Sequence, residues 1–223
     1  MFNNPKHVFW QAFLAAAVIF AFGIWMGFLL ENYRTSKAGI MFAKDEVDLM
    51  DVRLQSELYK NHDFEIDCAS AVEENIKFGD RIYQEGLDFD KQKKANELTE
   101  DIIYQHKKLD LLRVTFWLNS MYIKNKCNSD YHNIVYFYQF RKPDMDKKAE
   151  QGVVSDVLND LKEKYGPDVM LIPLAADNNI TSISLLKDYY NITYLPTVLI
   201  DETIKLEGLK TIDEVEAALE KSD

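Results

Sequence analysis

The fold of the C-terminal part of the chain is indicated by one stretch, Tyr190-Asn191-Ile192-Thr193-Tyr194-Leu195-Pro196-Thr197. The segment before it, Ser182 to Tyr190, has the apolar spacing of a short helix. The segment after it, Pro196 to Ile200 with Thr203 to Leu206, is typical of a β-hairpin. The stretch is therefore predicted to be a loop that joins a helix to a hairpin.

Further strands and helices are predicted on both sides of this loop. Asn133 to Phe140 and Val169 to Ala175 have the composition of buried strands. The helix between them has an inner face of Val154, Val157, Leu158, Leu161 and Tyr165. Thr211 and Glu214 form a capping box at the start of a last helix. Residues 130–223 are therefore predicted to form an α/β domain in the order strand-helix-strand-helix-strand-strand-helix.

Residues 39–129 are predicted to form a small all-α helical module. Three stripes of mostly apolar residues recur at steps of three and four, as one face of a helix requires. The stripes are Ile40, Ala43, Val47, Met50, Leu54 and Leu58; Cys68, Val72, Ile76, Gly79, Ile82 and Leu87; and Leu98, Ile102, Leu109, Leu112, Phe116 and Ile123. The third stripe lies in a segment without Pro or Gly, Lys91 to Tyr122. Since such stripes are usually packing faces, we expect the three helices to bury one another.

The N-terminal residues 1–38 contain a segment long enough to cross a membrane. Residues 8–30 carry no charge, and at 1.5 Å per residue they span a hydrocarbon core of about 30 Å. A cleaved signal peptide is the rival interpretation, but its apolar region is about 7–15 residues long and ends in small residues, whereas Phe28, Leu29 and Leu30 continue the apolar run. We therefore expect a single-pass transmembrane helix. Gly23 and Gly27 form a GxxxG step through which two such helices can pair as a homo-oligomer.

Charge and composition exclude several classes of function. The formal net charge is -11, and no basic stripe is present, so we expect no nucleic-acid partner. Charges flanking the apolar segment are similar on its two sides, so the positive-inside rule does not orient it. No Gly-rich phosphate loop, nucleotide fingerprint or metal motif is visible, and the four histidines show no close spacing with the two cysteines. We expect no cofactor and no metal.

The order of elements in residues 131–221 resembles the thioredoxin fold, and three stretches sharpen the resemblance. Ile134-Val135-Tyr136-Phe137-Tyr138 looks like the central strand that leads into the active-site loop of that family. The stretch from Tyr190 to Thr197 is similar to the loop whose cis-proline faces the redox pair. Lys205-Leu206-Glu207-Gly208 resembles the last strand. The resemblance implies a thioredoxin-like α/β domain with a cis bond at Leu195-Pro196.

The chain departs from the family where the redox chemistry occurs. Active members carry Cys-x-x-Cys at the start of the first helix, where the helix N-terminus lowers the pKa of the attacking thiol. Here the aligned residues are Lys142-Pro143-Asp144-Met145, so Lys142 and Met145 occupy the positions of the two sulfurs. Neither side chain can exchange disulfides, so we expect a degenerate active site and assign no catalytic residue.

The loop that contains Thr193, Tyr194, Leu195, Pro196 and Thr197 can still bind a partner. Thioredoxin-like domains can pair an extended peptide along the backbone of this loop. Phe140 and Tyr194 are the aromatic residues that we expect to line such a groove.

The two cysteines, Cys68 and Cys127, leave three interpretations open. A disulfide between them would close a long loop and stabilise the body in an oxidising compartment. The alternatives are two unpaired thiols and a redox-active pair. The glycosylation patterns at Asn179 and Asn191 are weak support for an outside location, and together with the even cysteine count they favour an extracytoplasmic body at the cell membrane.

These observations favour a membrane-anchored, redox-inactive thioredoxin-like protein that serves as an interaction, scaffold or chaperone-like module with a protein partner. The first alternative is a thiol-disulfide oxidoreductase that uses Cys68 and Cys127. The second alternative is a structural subunit of a membrane complex, in which the transmembrane helix makes the main contact.

Overall fold

The computed structural model describes residues 5–60, 67–95 and 100–222 of the 223-residue chain. The chain forms two compact units, Met1–Asp48 and Leu49–Asp223. The elements in the described ranges are, in chain order, α1 (Pro5–Lys60), α2 (Cys68–Ala95), α3 (Glu100–Cys127), β1 (His132–Tyr138), α4 (Met145–Tyr165), β2 (Val169–Ala175), α5 (Thr181–Tyr189), β3 (Thr197–Ile200), β4 (Ile204–Glu207) and α6 (Ile212–Leu219). One 3-10 turn, Gly166–Asp168, separates α4 from β2.

The first unit contains a helical span that is long and apolar enough to cross a membrane. This span runs from Phe9 to Leu29, a length of 21 residues or about 32 Å. The side chains of this span are exposed in the structure. The predicted apolar segment 8–30 is therefore helical, as its length requires.

Helix α1 continues without interruption to Lys60 and differs in this from the prediction. The apolar span and the first predicted stripe lie in one helix. Met50, Leu54 and Leu58, the members of that stripe whose side chains are described, are exposed. The prediction that the three stripes bury one another is wrong for these residues, because α2 and α3 direct their apolar side chains to each other and to the sheet.

The stripes of α2 and α3 are confirmed as packing faces. Ile82 of α2 is buried together with Leu112 and Phe116 of α3, and Ile123 is 1% exposed. Helix α2 extends to Ala95 and so includes the first residues of the segment predicted for the third helix. Leu98 lies outside the described residues.

The four strands form one sheet in the order β2-β1-β3-β4. β1 and β2 are parallel, with Ile134 opposite Leu171. β3 runs antiparallel to β1, and β4 runs antiparallel to β3. With α4 connecting the two parallel strands and α6 following the hairpin, this is a thioredoxin-like fold, as predicted from the order of elements.

Both faces of the sheet are covered by helices. Val135 and Phe137 of β1 contribute to a core with residues of α2, α3 and α5. Ile134 and Tyr136 contribute to a second core with residues of α4 and α6. Because β1 is buried on both faces, its sequence is a continuous apolar and aromatic run rather than an alternating one. The helices α2 and α3 share a core with the sheet, and a domain boundary between residues 129 and 130 stays a prediction.

The hairpin turn between β3 and β4 is held by side chains from α3 and β1. Asp201 and Glu202 have positive φ angles of 44° and 60°, as a tight hairpin turn requires. The carboxylate of Asp201 accepts hydrogen bonds from Lys124 Nζ at 2.7 Å and from His132 Nδ1 at 2.6 Å, and Glu202 accepts one from Trp117 Nε1. Burial by itself would raise the pKa of Asp201, but the hydrogen bonds from His132 and Lys124 outweigh it and lower this pKa to about 2.

A buried lysine connects α2 to the end of α4. Lys162 Nζ donates to Asp80 Oδ1 at 2.8 Å, to Gly166 O at 2.7 Å and to Val169 O at 2.8 Å. Its three hydrogen bonds satisfy the ammonium group, which is the condition for burying such a charge. Lys162 therefore links α2 to the end of α4 and to the start of β2.

Candidate functional site around the cis-proline loop

The loop between β1 and α4 is fixed by two side chains that bind its backbone. Gln139 N donates to Gln151 Oε1 at 2.7 Å, and Gln151 Nε2 donates to Gln139 O at 3.0 Å. The two oxygens of Asp177 accept from Phe140 N at 2.8 Å and from Arg141 N at 2.7 Å. These bonds replace strand pairing, and β1 therefore ends at Tyr138 although the sequence predicted a strand up to Phe140.

Lys142 and Met145 both lie on the surface at the start of α4. Lys142 is exposed with a positive φ of 44°, and Met145 is the first residue of α4 with a side chain that is 87% exposed. Between them, Asp144 caps the helix, because its Oδ1 accepts from Lys147 N at 2.8 Å. The segment therefore lies at a helix N-terminus and contains no thiol.

The cis-proline loop has the predicted peptide geometry. The Leu195-Pro196 bond is cis, as expected from the resemblance. Thr197 is buried at the start of β3, and its Oγ1 donates to Tyr194 O at 2.7 Å. Thr193 is exposed, and Tyr194 is 39% exposed. The side chains of Thr193 and Tyr194 are therefore accessible to solvent, whereas Thr197 holds the loop through a hydrogen bond from inside the protein.

Lys147 connects the first turn of α4 to the cis-proline loop. Its Nζ donates to the carbonyl oxygen of Leu195 and lies 3.7 Å from the centre of the Tyr194 ring. Glu150 Oε2 accepts from the same ammonium group at 3.2 Å, and Tyr194 OH donates to Glu150 Oε1 at 2.9 Å. The interactions with Tyr194 and then with Glu150 raise the pKa of Lys147. The ammonium group therefore stays charged and occupies a backbone acceptor of the loop.

Phe140 does not line an exposed groove, and this corrects the prediction made for it. Its side chain is 2% exposed, and its ring lies 3.9 Å from the His106 ring, centre to centre. Phe140 is buried because the hydrogen bond from its backbone to Asp177 turns the loop inwards. Of the two aromatic residues predicted for the groove, only Tyr194 is accessible.

Sequence reasoning missed Lys147, Gln151 and Asp177, which hold the site together. Gln151 carried a detectable signal, because it precedes Val154 and Leu158 at steps of three and four and so falls on the apolar face of α4. A polar residue in phase with an apolar stripe has to find a hydrogen-bond partner inside the protein. Lys147 and Asp177 carried no such signal, because their partners lie far away along the chain.

The two cysteines form a disulfide at the opposite end of β1 from this loop. Cys68 is the first residue of α2 and Cys127 is the last residue of α3, and their Cα atoms are 5.4 Å apart. Cys127 precedes the start of β1, whereas the loop follows its end, and the seven residues of β1 extend about 23 Å. Both cysteines of the chain are therefore bonded to each other, away from the loop between β1 and α4.

No group of three or more His, Cys, Asp or Glu residues is placed to hold a metal ion in the part of the chain that the structure describes. The chemistry available at the loop consists of backbone hydrogen bonds, the ammonium group of Lys147 and the exposed ring of Tyr194.

Comparison with known proteins gives partial likenesses at low sequence identity. No protein-family model and no curated protein matches the chain. Among solved structures, chloroplastic thioredoxin z is 16% identical, with 44% of this chain and 83% of that chain covered and a TM-score of 0.33. Thioredoxin O2 from Arabidopsis thaliana is 18% identical, with 47% and 84% covered and a TM-score of 0.33. The germline-specific thioredoxin Deadhead from Drosophila melanogaster is 15% identical, with 47% and 91% covered and a TM-score of 0.30.

Proposed function

We propose that this chain is a membrane-anchored, redox-inactive thioredoxin-like protein that serves as an interaction, scaffold or chaperone-like module. The proposal rests on the residues found in the loop that aligns with the redox pair of the thioredoxin family. Lys142 and Met145 stand at the aligned positions, and Lys147 binds the Leu195 carbonyl and the Tyr194 ring. The scaffold is retained while the sulfur chemistry is missing.

The chemistry of the side chains supports redox inactivity. Disulfide exchange requires a thiolate that attacks a sulfur atom and a second thiol that resolves the mixed disulfide. A lysine ammonium group has no free electron pair, and the thioether of methionine forms no thiolate. The sulfur atoms of the two cysteines of the chain form the Cys68–Cys127 disulfide, which joins the ends of two helices. We assign this disulfide a structural role.

Membrane attachment is supported by the exposed apolar span Phe9–Leu29. A predominantly apolar span of 21 residues that is exposed is unfavourable in water, whereas a bilayer with a hydrocarbon core of about 30 Å would cover it. The disulfide favours an oxidising compartment for the body. We therefore place the soluble body outside the cytoplasm, with α1 as the single-pass anchor.

The proposed partner is a polypeptide that binds as an extended segment along the cis-proline loop. The Leu195 carbonyl is the acceptor that such a segment would use, and Lys147 occupies it in this structure. A partner therefore has to displace the lysine ammonium group or present an acceptor to it. An extended segment whose backbone N–H donates to the Leu195 carbonyl and whose acidic side chain accepts from the Lys147 ammonium group satisfies both groups.

Site-specific photo-crosslinking in native membranes tests this proposal. A photoreactive phenylalanine analogue replaces Tyr194 in the full chain, and the matched control carries it at Tyr189, which is 80% exposed on α5. We expect a discrete protein adduct from position 194 and none from position 189. Equal adducts from both positions, or none from position 194, would contradict a partner at the loop.

An insulin reduction assay separates this proposal from the oxidoreductase alternative. We expect the wild-type chain and Cys127→Ser to show the same background rate. A wild-type activity that disappears in Cys127→Ser would show that the Cys68–Cys127 pair is redox-active and would overturn the proposal of redox inactivity.

Replacing the apolar span by an unrelated transmembrane helix distinguishes an interaction through the loop from a structural role of the anchor. The adduct at position 194 persists in the first case and disappears in the second. Gly23 and Gly27, where an added Cβ meets nothing within 4 Å, are the proposed contact for a homo-oligomer. Gly27→Leu should abolish crosslinking between two anchors if they pair there.

A further inference from the structure

A cavity of about 190 Å³ lies in the second unit, away from the cis-proline loop residues. Its walls come from α2, α3, α4 and the parallel strands β1 and β2. The apolar part of the lining includes Leu87, Phe89, Leu158 and Leu171. A volume of this size accommodates a small organic molecule rather than a peptide, because peptide-sized and drug-sized ligands need several hundred Å³.

One charged side chain that lines this cavity has a buried donor without a hydrogen-bond partner among the described residues. Arg113 is 5% exposed, and its Nε is buried without a partner. The nearest carboxylate oxygen is Asp110 Oδ1, at 3.9 Å from Arg113 Nη1, which is too long for a hydrogen bond. Leaving the Nε–H donor of a guanidinium group unpaired inside a protein is unfavourable.

Both oxygens of Asp110 hold hydrogen bonds with other groups, and at 3.9 Å the carboxylate offsets the charge of Arg113 without accepting a hydrogen bond from it. Asp110 Oδ2 lies 2.9 Å from His106 Nδ1 and accepts from Asn178 Nδ2 at 2.9 Å. Asp110 Oδ1 accepts from Ala175 N at 3.4 Å. The carboxylate therefore belongs to a separate network, and the guanidinium group remains open towards the cavity.

Helix α2 leaves room for the guanidinium group at one position. A Cβ atom added to Gly86 would lie 2.2 Å from Arg113 Nη2, so an alanine at this position would push the arginine aside. Glycine inside a helix is less favourable than alanine by about 1 kcal/mol. Gly86 therefore makes α2 less stable than an alanine would, but it leaves the space that the Arg113 guanidinium group occupies.

We propose that this cavity is a binding site for a small monocarboxylate, whose two oxygens bind the Arg113 guanidinium group and whose short apolar part contacts the leucine and phenylalanine side chains. Arginine and carboxylate match as a bidentate pair, with two parallel hydrogen bonds. Asp90 is exposed and also lines the cavity. Together with Asp110 it disfavours a second negative charge, so the site selects monocarboxylates over dicarboxylates. The proposed interaction through the cis-proline loop does not depend on this site.

Calorimetric titration of the full chain in detergent micelles tests the proposal, with propionate and benzoate as probes. Propionamide and benzamide are the matched neutral probes, and succinate is the dicarboxylate. We expect saturable binding of at least one monocarboxylate and about 10- to 100-fold weaker binding of its amide, because the amide loses the charge-assisted pair. Succinate should bind more weakly than propionate. This comparison needs no variant of the protein.

Three variants test whether the monocarboxylate binds at Arg113. Arg113→Gln and Gly86→Ala should each weaken binding of the monocarboxylate by about 10- to 100-fold, whereas Arg53→Gln, an exposed arginine of α1, should leave it unchanged. Circular dichroism verifies that each variant is folded. The proposal is overturned if the wild-type chain shows no saturable binding, if amides bind as well as carboxylates, or if folded Arg113→Gln retains wild-type affinity.

Discussion

Removing the Cys68–Cys127 disulfide should lower the free energy of unfolding by about 4 kcal/mol. The bond closes a loop with a sequence separation of 59 residues, and the chain entropy that it removes from the unfolded state grows with the logarithm of loop length, which gives about 4 kcal/mol for this loop. The double substitution Cys68→Ser with Cys127→Ser removes the bond and leaves side chains of similar size at two half-buried positions.

Urea unfolding of the full chain in detergent micelles measures this loss through the fluorescence of Trp117. Trp117 is fully buried, whereas Trp10 and Trp25 are exposed on α1. Replacing these two by phenylalanine leaves Trp117 as the single tryptophan of the chain. With a urea dependence of about 2 kcal/mol per molar, the loss moves the unfolding midpoint down by about 2 M.

Dithiothreitol supplies an independent control for this experiment. Reduction of the parent protein should reproduce the shift of the midpoint, and the double serine variant should not respond to the reductant. A shift below about 0.5 M in the double variant would refute the reasoning, because the loop would then contribute little to the entropy of the unfolded chain. A response of the double variant to dithiothreitol would show that the reductant acts elsewhere.

Three further predictions concern the packing of the second unit. Lys162→Met should lower the free energy of unfolding by about 3 kcal/mol in urea titrations, because it leaves a carboxylate and two backbone carbonyls without their donor. Asp201, with a pKa lowered to about 2, should contribute about 2 kcal/mol to the free energy of unfolding above about pH 4, and this contribution is lost as pH falls towards about 2. Asp201→Asn should be less stable at neutral pH and should lack this pH dependence of stability. The same pH dependence in the variant would contradict the assignment to Asp201. Gly79→Ala should destabilise the protein by about 1–3 kcal/mol, because the added Cβ would lie 2.8 Å from Phe116 Cζ. The control variant Gly152→Ala, whose Cβ would meet nothing within 4 Å, should stabilise the protein by up to about 1 kcal/mol. Equal thermal midpoints for these two variants would contradict the packing argument.

Much of the thioredoxin-like fold could be predicted because its signals are local. The strand Val169–Ala175 was predicted with its observed bounds, since a buried parallel strand is a short continuous apolar run. The capping box of Thr211 and Glu214 is present, because both of its hydrogen bonds join residues three positions apart. The cis bond before Pro196 is also present; it was inferred from the resemblance of the whole loop.

The candidate site was less predictable than the fold. The assignment of Lys142 and Met145 to the positions of the two sulfurs stays a prediction. In the structure Met145 begins α4 and Lys142 precedes it, and the contacts of this region with the cis-proline loop are made by Lys147 and Glu150. Phe140 was expected on the surface and is buried. An aromatic residue at the end of a strand has no periodic neighbours that indicate its direction, so the turn of the backbone towards Asp177 could not be predicted.

What the sequence alone determined is the set of structures that depend on neighbours in the chain: the apolar span, the helical faces, the strands and the caps. Tertiary structure decided the contacts between residues that are far apart, such as Lys147 with Leu195, 48 positions away, and Gly86 with Arg113. It also decided that Met50, Leu54 and Leu58 stay exposed, because α2 and α3 use their apolar faces to cover the sheet. Periodicity shows that a face is apolar, but only the packed chain selects what that face contacts.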